Sequence, residues 1–272
     1  MNGKAHPKAP ISNPKVVAPF PTYPGGKAAD GVIQFLINRV PRHFIYMEPF
    51  LGGGAMYLHK KRCSKAYLSD INIRVVNAWE QVEGVYNEDR PEVDKICPYS
   101  FSNFWRYYIQ VGAADQNRNR GTFVFLDPPY LMETRSFQKK IYEYEFETPE
   151  QHEKLLALLL QDAPYSNDRR HQSPNVMIAG YPSELYKDLL EDAGWLRHDF
   201  SGQTRRGRCV ESIWTNYDPE QWPLHDYTYV GENTRERDQF RQKKKRWIRR
   251  LSEMNTRERE ALLRAIKDTY PV

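Results

Sequence analysis

The hydrophobic positions along the first 217 residues recur at helix spacing in some stretches and run continuously or alternate in others. The stretch "DGVIQFLINRV" has apolar residues at 32, 33, 36, 37 and 40, which predicts an amphipathic helix. Three further stretches have the same character: "INIRVVNAWEQVEGVY", "TPEQHEKLLALLLQ" and "SELYKDLLEDAGW". Thr148 and Pro149 at the start of the second of these are typical of an N-cap and a first helical residue.

Short apolar stretches between these helices predict strands. They are "FIYMEPF", "AYLSD", "TFVFLD", "NVMIAG" and the alternating "CVESIWTNY". Strands that are separated by helices favour an α/β fold with a parallel, doubly wound sheet. Residues 88–121 show no sustained period and are expected to be irregular, and the chain beyond Pro219 becomes charged and helical.

Composition narrows the class of protein without naming a function. The chain has 272 residues, of which 40% are hydrophobic, enough to build a core. No apolar run approaches the roughly 20 residues that span a bilayer, and residues 1–18 lack the apolar core of a signal peptide. We expect a flexible tail there. Cys63, Cys97 and Cys209 lack metal-ligand spacing, so we expect reduced thiols, no metal and a cytoplasmic location.

The positive charge is concentrated in one segment. The net charge is +5, yet Arg235 to Arg250 holds nine Lys or Arg against Glu236 and Asp238, a net +7 that leaves −2 elsewhere. Such a run favours an anionic polymer as partner. A solvated helix face is the alternative.

The segment "TFVFLDPPY" (122–130) ends a strand with a carboxylate and two prolines. Proline fixes its own φ, has no N–H, and keeps the residue before it extended. Asp127 should therefore lie at the carboxyl end of a strand, where open α/β sheets bind their ligands. A Pro-Pro pair that only ends the strand is the alternative.

Two glycine turns and one acidic residue add to this picture. "EPFLGGGAM" places three glycines between a strand and a helix, and "YPGGK" (23–27) flanks a glycine pair with an aromatic ring and an amine. Asp70 ends the next strand, where a carboxylate can accept ribose hydroxyls. Each signal alone has a structural alternative: a tight turn, a simple loop, or an N-cap at Asp70.

In this order, "YPGGK", "EPFLGGGA", "LSDIN" and "FVFLDPPY" resemble the motif series of the Dam-like DNA adenine methyltransferases, the D12 class of adenine-specific enzymes. The resemblance continues through "ETPEQHEKLLALL", "NVMIAGYPSELYKDLLEDAGW" and "GRCVESIWTNY", so that it covers about Pro21 to Tyr217. It is greatest to prophage-type members, in which "DPPY" leads into a segment like "LMETRSFQKKIYEYEF".

The resemblance implies a Rossmann-like methyltransferase sheet with S-adenosyl-L-methionine (AdoMet) as cofactor. By position it assigns cofactor binding to Tyr23, Lys27, Glu48, Phe50, Gly52, Gly53, Gly54, Asp70 and Asp127, and catalysis to Asp127, Pro128, Pro129 and Tyr130. The Asp127 carboxylate and the Pro128 carbonyl would accept the two N–H groups of the adenine amino group. The Tyr130 ring would stack on the base once it has left the duplex.

The resemblance also implies double-stranded DNA as partner and a division of the chain. The catalytic domain would comprise residues 19–74 and 121–217, with a short target-recognition region at 75–120 and a basic helical extension at 218–272. Residues expected to contact DNA are Arg118, Arg120, Arg135, Arg205, Arg206, Arg208, Lys243, Lys244 and Lys245; solvated surface charge is the alternative for each. Because the recognition region is short, no target sequence can be transferred.

Three further questions stay open at this stage. The aromatic stretch "FSNFWRYY" (101–108) belongs either to the recognition region or to the packed core. The function has two alternatives: methylation of RNA or another base on the same fold, and a catalytically inactive DNA-binding relative. A restriction endonuclease as partner is also left open.

Overall fold

The computed structural model describes residues 19, 26–81, 92–107, 121–135, 140–168, 173–204 and 207–270. The chain divides into two compact units, Met1–His225 and Asp226–Val272. The first contains the sheet and the second two helices. We describe each by itself.

Seven strands form one sheet in the first unit, in the order β3-β2-β1-β4-β5-β7-β6. They are β1 (Ile45–Glu48), β2 (Lys65–Ser69), β3 (Glu92–Cys97), β4 (Thr122–Leu126), β5 (Asn175–Gly180), β6 (Leu196–Thr204) and β7 (Gly207–Thr215). Strands β1 to β5 pair in parallel, and β7 lies antiparallel between β5 and β6. The predicted α/β fold with a Rossmann-like sheet is confirmed.

Six helices accompany the sheet: α1 (Val32–Ile37), α2 (Ala55–His59), α3 (Ile73–Glu80), α4 (Phe101–Trp105), α5 (Pro149–Asp162) and α6 (Glu184–Tyr186), which continues as a π-helical turn to Glu191. At the start of α5, Thr148 and Gln151 form a capping box in front of Pro149, as the sequence predicts. The central strands β1, β4 and β5 are buried along their whole length. This is why they appear in the sequence as continuous apolar runs.

Two strands were not predicted, and both are edge strands. β3 ("EVDKIC") pairs with β2 inside the segment expected to be irregular, and β6 ("LRHDFSGQT") pairs with β7. Their polar residues hide the signal, because an edge strand need not be apolar on both faces. In the structure, α3, β3 and α4 belong to the sheet unit, and a target-recognition role for residues 75–120 stays a prediction. Within the proposed recognition region, residues 82–91 and 108–120 lie outside the described part.

The aromatic stretch at 101–108 is resolved in favour of packing. Phe101, Phe104 and Trp105 are buried in the main core cluster with residues of β4, α5 and β5. Trp105 Nε1 also donates a 2.8 Å hydrogen bond to Asp162 at the end of α5. The stretch therefore builds the core of the sheet unit.

The second unit consists of α7 (Thr234–Glu253) and α8 (Thr256–Thr269), each with an asparagine N-cap whose side chain accepts a backbone N–H. No described residue of either helix is buried. This unit begins at Asp226, and the residues just before it belong to the sheet unit, since His225 N donates to Val40 O and Leu224 bridges Pro41. Among the helices the structure describes, none is both long enough and apolar enough to span a bilayer.

Candidate active site

A cavity of about 540 Å³ opens at the carboxyl ends of β1, β2 and β4. Open α/β sheets bind ligands at this edge. Its lining brings together residues that are distant in sequence, among them Lys27, Glu48, Phe50, Gly52, Gly53, Gly54, Asp70, Asp127 and Pro129. The described cofactor-binding residues predicted from the sequence thus share one cavity. Tyr23 lies outside the described residues.

The glycine turn after β1 is locked against α3. Gly54 has φ +60°, and a Cβ there would lie 2.4 Å from Cζ2 of the buried Trp79 ring. The indole Nε1 of Trp79 donates a 2.9 Å hydrogen bond to the carbonyl of Gly52. Only glycine fits this close approach with that backbone conformation. The turn therefore forms a backbone wall of the cavity.

Asp70 holds the same turn from the neighbouring strand. Its carboxylate accepts 2.9 Å hydrogen bonds from the backbone N–H of Gly52 and of Asn72. Burial raises the pKa of Asp70, while those two N–H groups oppose the rise. The N-cap alternative for Asp70 is wrong, because Asn72 caps α3 by accepting the N–H of Arg74.

Glu48 is a buried carboxyl group at the end of β1. It accepts a 2.7 Å hydrogen bond from the Tyr46 hydroxyl. Burial, with a further contribution from the charge of Asp127, raises its pKa from 4.5 to about 8. Glu48 is therefore mostly protonated at neutral pH, and it can donate a hydrogen bond as well as accept one.

Asp127 follows β4 and forms an ion pair with a nearly inaccessible lysine. Lys27 Nζ lies 3.0 Å from Asp127 Oδ1 and 4.9 Å from the centre of the Tyr130 ring. Burial raises the pKa of Asp127 and the ammonium opposes that rise. Burial alone would lower the pKa of Lys27, but its carboxylate neighbours outweigh burial and raise it, so that the ammonium stays charged.

The structure adds Glu211, which the sequence analysis did not select. Its carboxylate, 4% exposed, lies on β7 with Oε2 3.3 Å from Lys27 Nζ. The same oxygen accepts a 2.9 Å hydrogen bond from the Tyr130 hydroxyl. The signal in the sequence was a charged residue at the start of the apolar run of "CVESIWTNY", although its partners could not be read from the pattern.

Residues 142–147 form an outer wall of the cavity. Arg135 binds both carboxylate oxygens of Glu145, at 2.9 and 2.8 Å, and its guanidinium also donates to the carbonyl oxygen of Tyr130. Asn72 donates to Glu143 from the other side of the cavity. Arg135 is buried and engaged in these bonds, and its contact with DNA phosphate stays a prediction.

Residues 23–96 match the D12 class N6 adenine-specific DNA methyltransferase family. The match confirms the resemblance predicted from the motifs, the methyltransferase class and AdoMet as the cofactor. The segment matched to the D12 family contains the glycine turn and Asp70 but ends before β4, so Asp127, Tyr130 and Glu211 lie outside it.

Solved structures show distant likeness. TrmK of M. capricolum in complex with S-adenosyl-homocysteine is 12% identical, with 86% of this chain and 93% of that chain covered and a TM-score of 0.38. An rRNA methylase from Streptococcus thermophilus is 13% identical, with 67% and 92% covered and a TM-score of 0.34. A precorrin 8W decarboxylase from Methanobacterium thermoautotrophicum is 12% identical, with 73% and 97% covered and a TM-score of 0.37. No curated protein matches the chain.

The structure does not test the predicted DNA contacts of the remaining Arg and Lys residues. Arg118, Arg120, Arg205 and Arg206 lie outside the described residues. Arg208 is exposed on β7, and Lys243, Lys244 and Lys245 are exposed on α7 in the second unit. In the described ranges, no group of three or more His, Cys, Asp or Glu side chains is arranged to hold a metal ion.

Proposed function

We propose that this chain is a DNA methyltransferase that methylates the exocyclic amino nitrogen of an adenine that has left the duplex. The observation that carries the proposal is the position of Asp127, at the end of β4 and at the rim of the cavity described above. The D12 match of residues 23–96 supports the adenine class of substrate.

The charges of the cavity fit AdoMet better than a phosphate-bearing cofactor. Carboxylates predominate among the charged groups of its lining, namely those of Asp70, Asp127, Glu143, Glu145 and Glu147 beside the protonated Glu48, and the ammonium of Lys27 is already shared by two carboxylates. A polyphosphate would be repelled there, whereas a sulfonium and an α-ammonium group would be attracted. AdoMet, when bound, supplies an electrophilic methyl group.

Individual residues have separate roles toward this cofactor. Asp70 is held in place by two backbone N–H groups and is suited to accept ribose hydroxyls. The ring of Phe50, which stacks on Phe101 at 5.7 Å, provides an apolar surface in the cavity. The backbone of the Gly52–Gly54 turn allows the ligand to approach closely.

Asp127 carries the chemical role toward adenine. The adenine amino nitrogen is a poor nucleophile, because its lone pair is delocalised into the ring. Two acceptors, the Asp127 carboxylate and the Pro128 carbonyl, would bind the two N–H groups and draw the nitrogen toward a tetrahedral form, which takes its lone pair out of conjugation. Both acceptors would bind more strongly as positive charge develops on the nitrogen. Asp127 would then take the proton that the methylated nitrogen must lose. The two prolines keep the carbonyl rigid, and the Tyr130 ring supports the base.

Tritiated AdoMet offered separately with duplex DNA, with tRNA and without an acceptor tests the substrate class. The proposal expects label in DNA only, and acid hydrolysis should release it as N6-methyladenine. Label in tRNA or in another base would favour a different methyltransferase on this fold. No transfer to any acceptor, with DNA still bound, would favour an inactive DNA-binding relative.

A further inference from the structure

Four side chains form a compact cluster beside the cavity, in which Lys27 and Glu211 are buried, and Glu211 has no role in the proposed chemistry. Glu211 joins the ion pair of Lys27 and Asp127 to Tyr130. It contacts the Lys27 ammonium at 3.3 Å and the Tyr130 hydroxyl at 2.9 Å. We propose that Glu211 is a positioning residue, which fixes the Lys27 ammonium against Asp127 and holds the Tyr130 ring in the orientation that receives the target base. This inference rests on the proposed function.

The hairpin of β6 and β7 is built around this carboxylate. A Cβ at Gly202 on β6 would lie 2.1 Å from Glu211 Oε1, so that a side chain there would occupy the space of the carboxylate. Tyr181 packs its edge against the Tyr130 ring with the centroids 4.7 Å apart. The Tyr130 ring is thus held at its hydroxyl by Glu211 and at its ring by the T-shaped contact with Tyr181. A ring held at two points can stack on a base without first losing its rotational freedom.

The charges of the cluster explain why a second carboxylate matters. One ammonium lies between two carboxylates, so the cluster keeps a net negative charge beside the position where the amino nitrogen becomes positive. Removing Glu211 would leave Lys27 to Asp127 alone and would make Asp127 a weaker base. Lys27 lowers the pKa of Asp127, whereas the charge of Glu211 adds to the effect of burial and raises it. The groups whose charge or hydroxyl is coupled to Asp127 are Lys27, Glu48, Tyr130, Tyr142, Tyr186 and Glu211.

The variant Glu211→Gln tests the role, because glutamine keeps an acceptor for the Tyr130 hydroxyl and removes the charge. We expect the maximal rate of methyl transfer at saturating AdoMet to fall about tenfold or more, as for the loss of a charged hydrogen-bond partner. We also expect the acid limb of the pH–rate profile to move to lower pH, because Asp127 loses the charge that raises its pKa. A merely structural role for Glu211 would lower the rate without moving that limb.

A second measurement needs neither DNA nor AdoMet. With 13C at the lysine Cε, the NMR titration of Lys27, assigned with Lys27→Arg, should show a lower pKa in Glu211→Gln, because one of the two carboxylates that raise it is gone. The control is Asp199→Asn, which removes a half-exposed carboxylate of the same hairpin that binds Arg197 and Ser212. The control should leave the Lys27 titration, the rate and the acid limb unchanged.

The outcomes separate the two claims. An unchanged Lys27 titration in Glu211→Gln overturns the inference, and so does a shifted titration with the rate and acid limb of the wild type. If the wild-type chain labels no adenine in DNA, the proposed function fails, and with it the positioning role toward adenine. The Lys27 titration would still show whether the failure lies in the reaction or in the cluster itself.

Discussion

Replacing Gly54 by alanine should damage both the fold and the cavity. The residue has φ +60°, and an added Cβ would lie 2.4 Å from Cζ2 and 2.8 Å from Cη2 of Trp79. The Trp79 ring is completely buried and is tied to the turn by its hydrogen bond to Gly52. It cannot move away without breaking that bond. The substitution therefore causes backbone strain and a steric clash at once.

The two effects have separate magnitudes. A left-handed conformation costs a non-glycine residue about 1–2 kcal/mol, and overpacking a buried site costs about 1–3 kcal/mol. We therefore expect the free energy of unfolding to fall by about 2–5 kcal/mol. Affinity for AdoMet should fall as well, since the same turn forms a wall of the cavity.

A double-mutant cycle in urea, followed by circular dichroism, separates clash from strain. Trp79→Phe removes the part of the ring that the new Cβ would meet, so Gly54→Ala should cost about 1–3 kcal/mol less in that background than in the wild type. Titration calorimetry with AdoMet gives the effect on the cavity. Additive costs, or a Gly54→Ala protein as stable as the wild type, would refute the close approach described here.

Three further predictions concern the base, the DNA and the pH dependence of stability. Tyr130→Ala should weaken capture of a flipped adenine by about 1–3 kcal/mol, while Tyr130→Phe should lose less because its ring still stacks. The two variants are compared by their affinity for a DNA duplex that has an abasic site opposite the target adenine. Changing Lys243, Lys244 and Lys245 together to Gln should weaken binding to all DNA sequences by a similar factor and flatten its salt dependence, whereas an unchanged slope would assign them to solvated surface. The pKa of Glu48 rises from 4.5 to about 8 on folding, so the folded state binds more protons and wild-type stability should fall as pH rises through that interval. Urea unfolding between pH 5 and 8 should therefore show Glu48→Gln gaining on the wild type as pH rises, and a constant difference would contradict the raised pKa.

The strands that could be predicted are those that are buried along their whole length and therefore have continuous apolar sequences. β1, β4 and β5 are covered on both faces, and their sequences allow little but a buried strand. β3 and β6 lie at the edges of the sheet, where polar residues are tolerated, so their sequences carry no comparable pattern. The Asp70 and Asp127 positions were predictable because each closes an apolar strand.

Glu211 and Arg135 show where sequence reasoning stops. A carboxylate inside an apolar strand stays charged when a cation lies beside it, and the cation of Glu211, Lys27, lies near the other end of the sheet unit's sequence. Arg135 is of a residue type that often contacts DNA, yet its guanidinium binds Glu145 and the Tyr130 carbonyl. The cation that pairs with Glu211 lies in a distant segment, whereas the partners of Arg135 lie within ten residues of it along the chain. No sequence pattern records either pairing.

The central claim is that Asp127 serves the methylation of adenine in DNA. Sequencing that reads modified bases, applied to DNA from cells that express this chain or its Asp127→Ala variant, tests it most directly. The wild type should leave N6-methyladenine at one recurring sequence, and a folded Asp127→Ala protein should lose the mark, since a transition-state acceptor contributes about a hundredfold or more in rate. The same mark from the variant, or no methylated adenine from the wild type, would contradict the account.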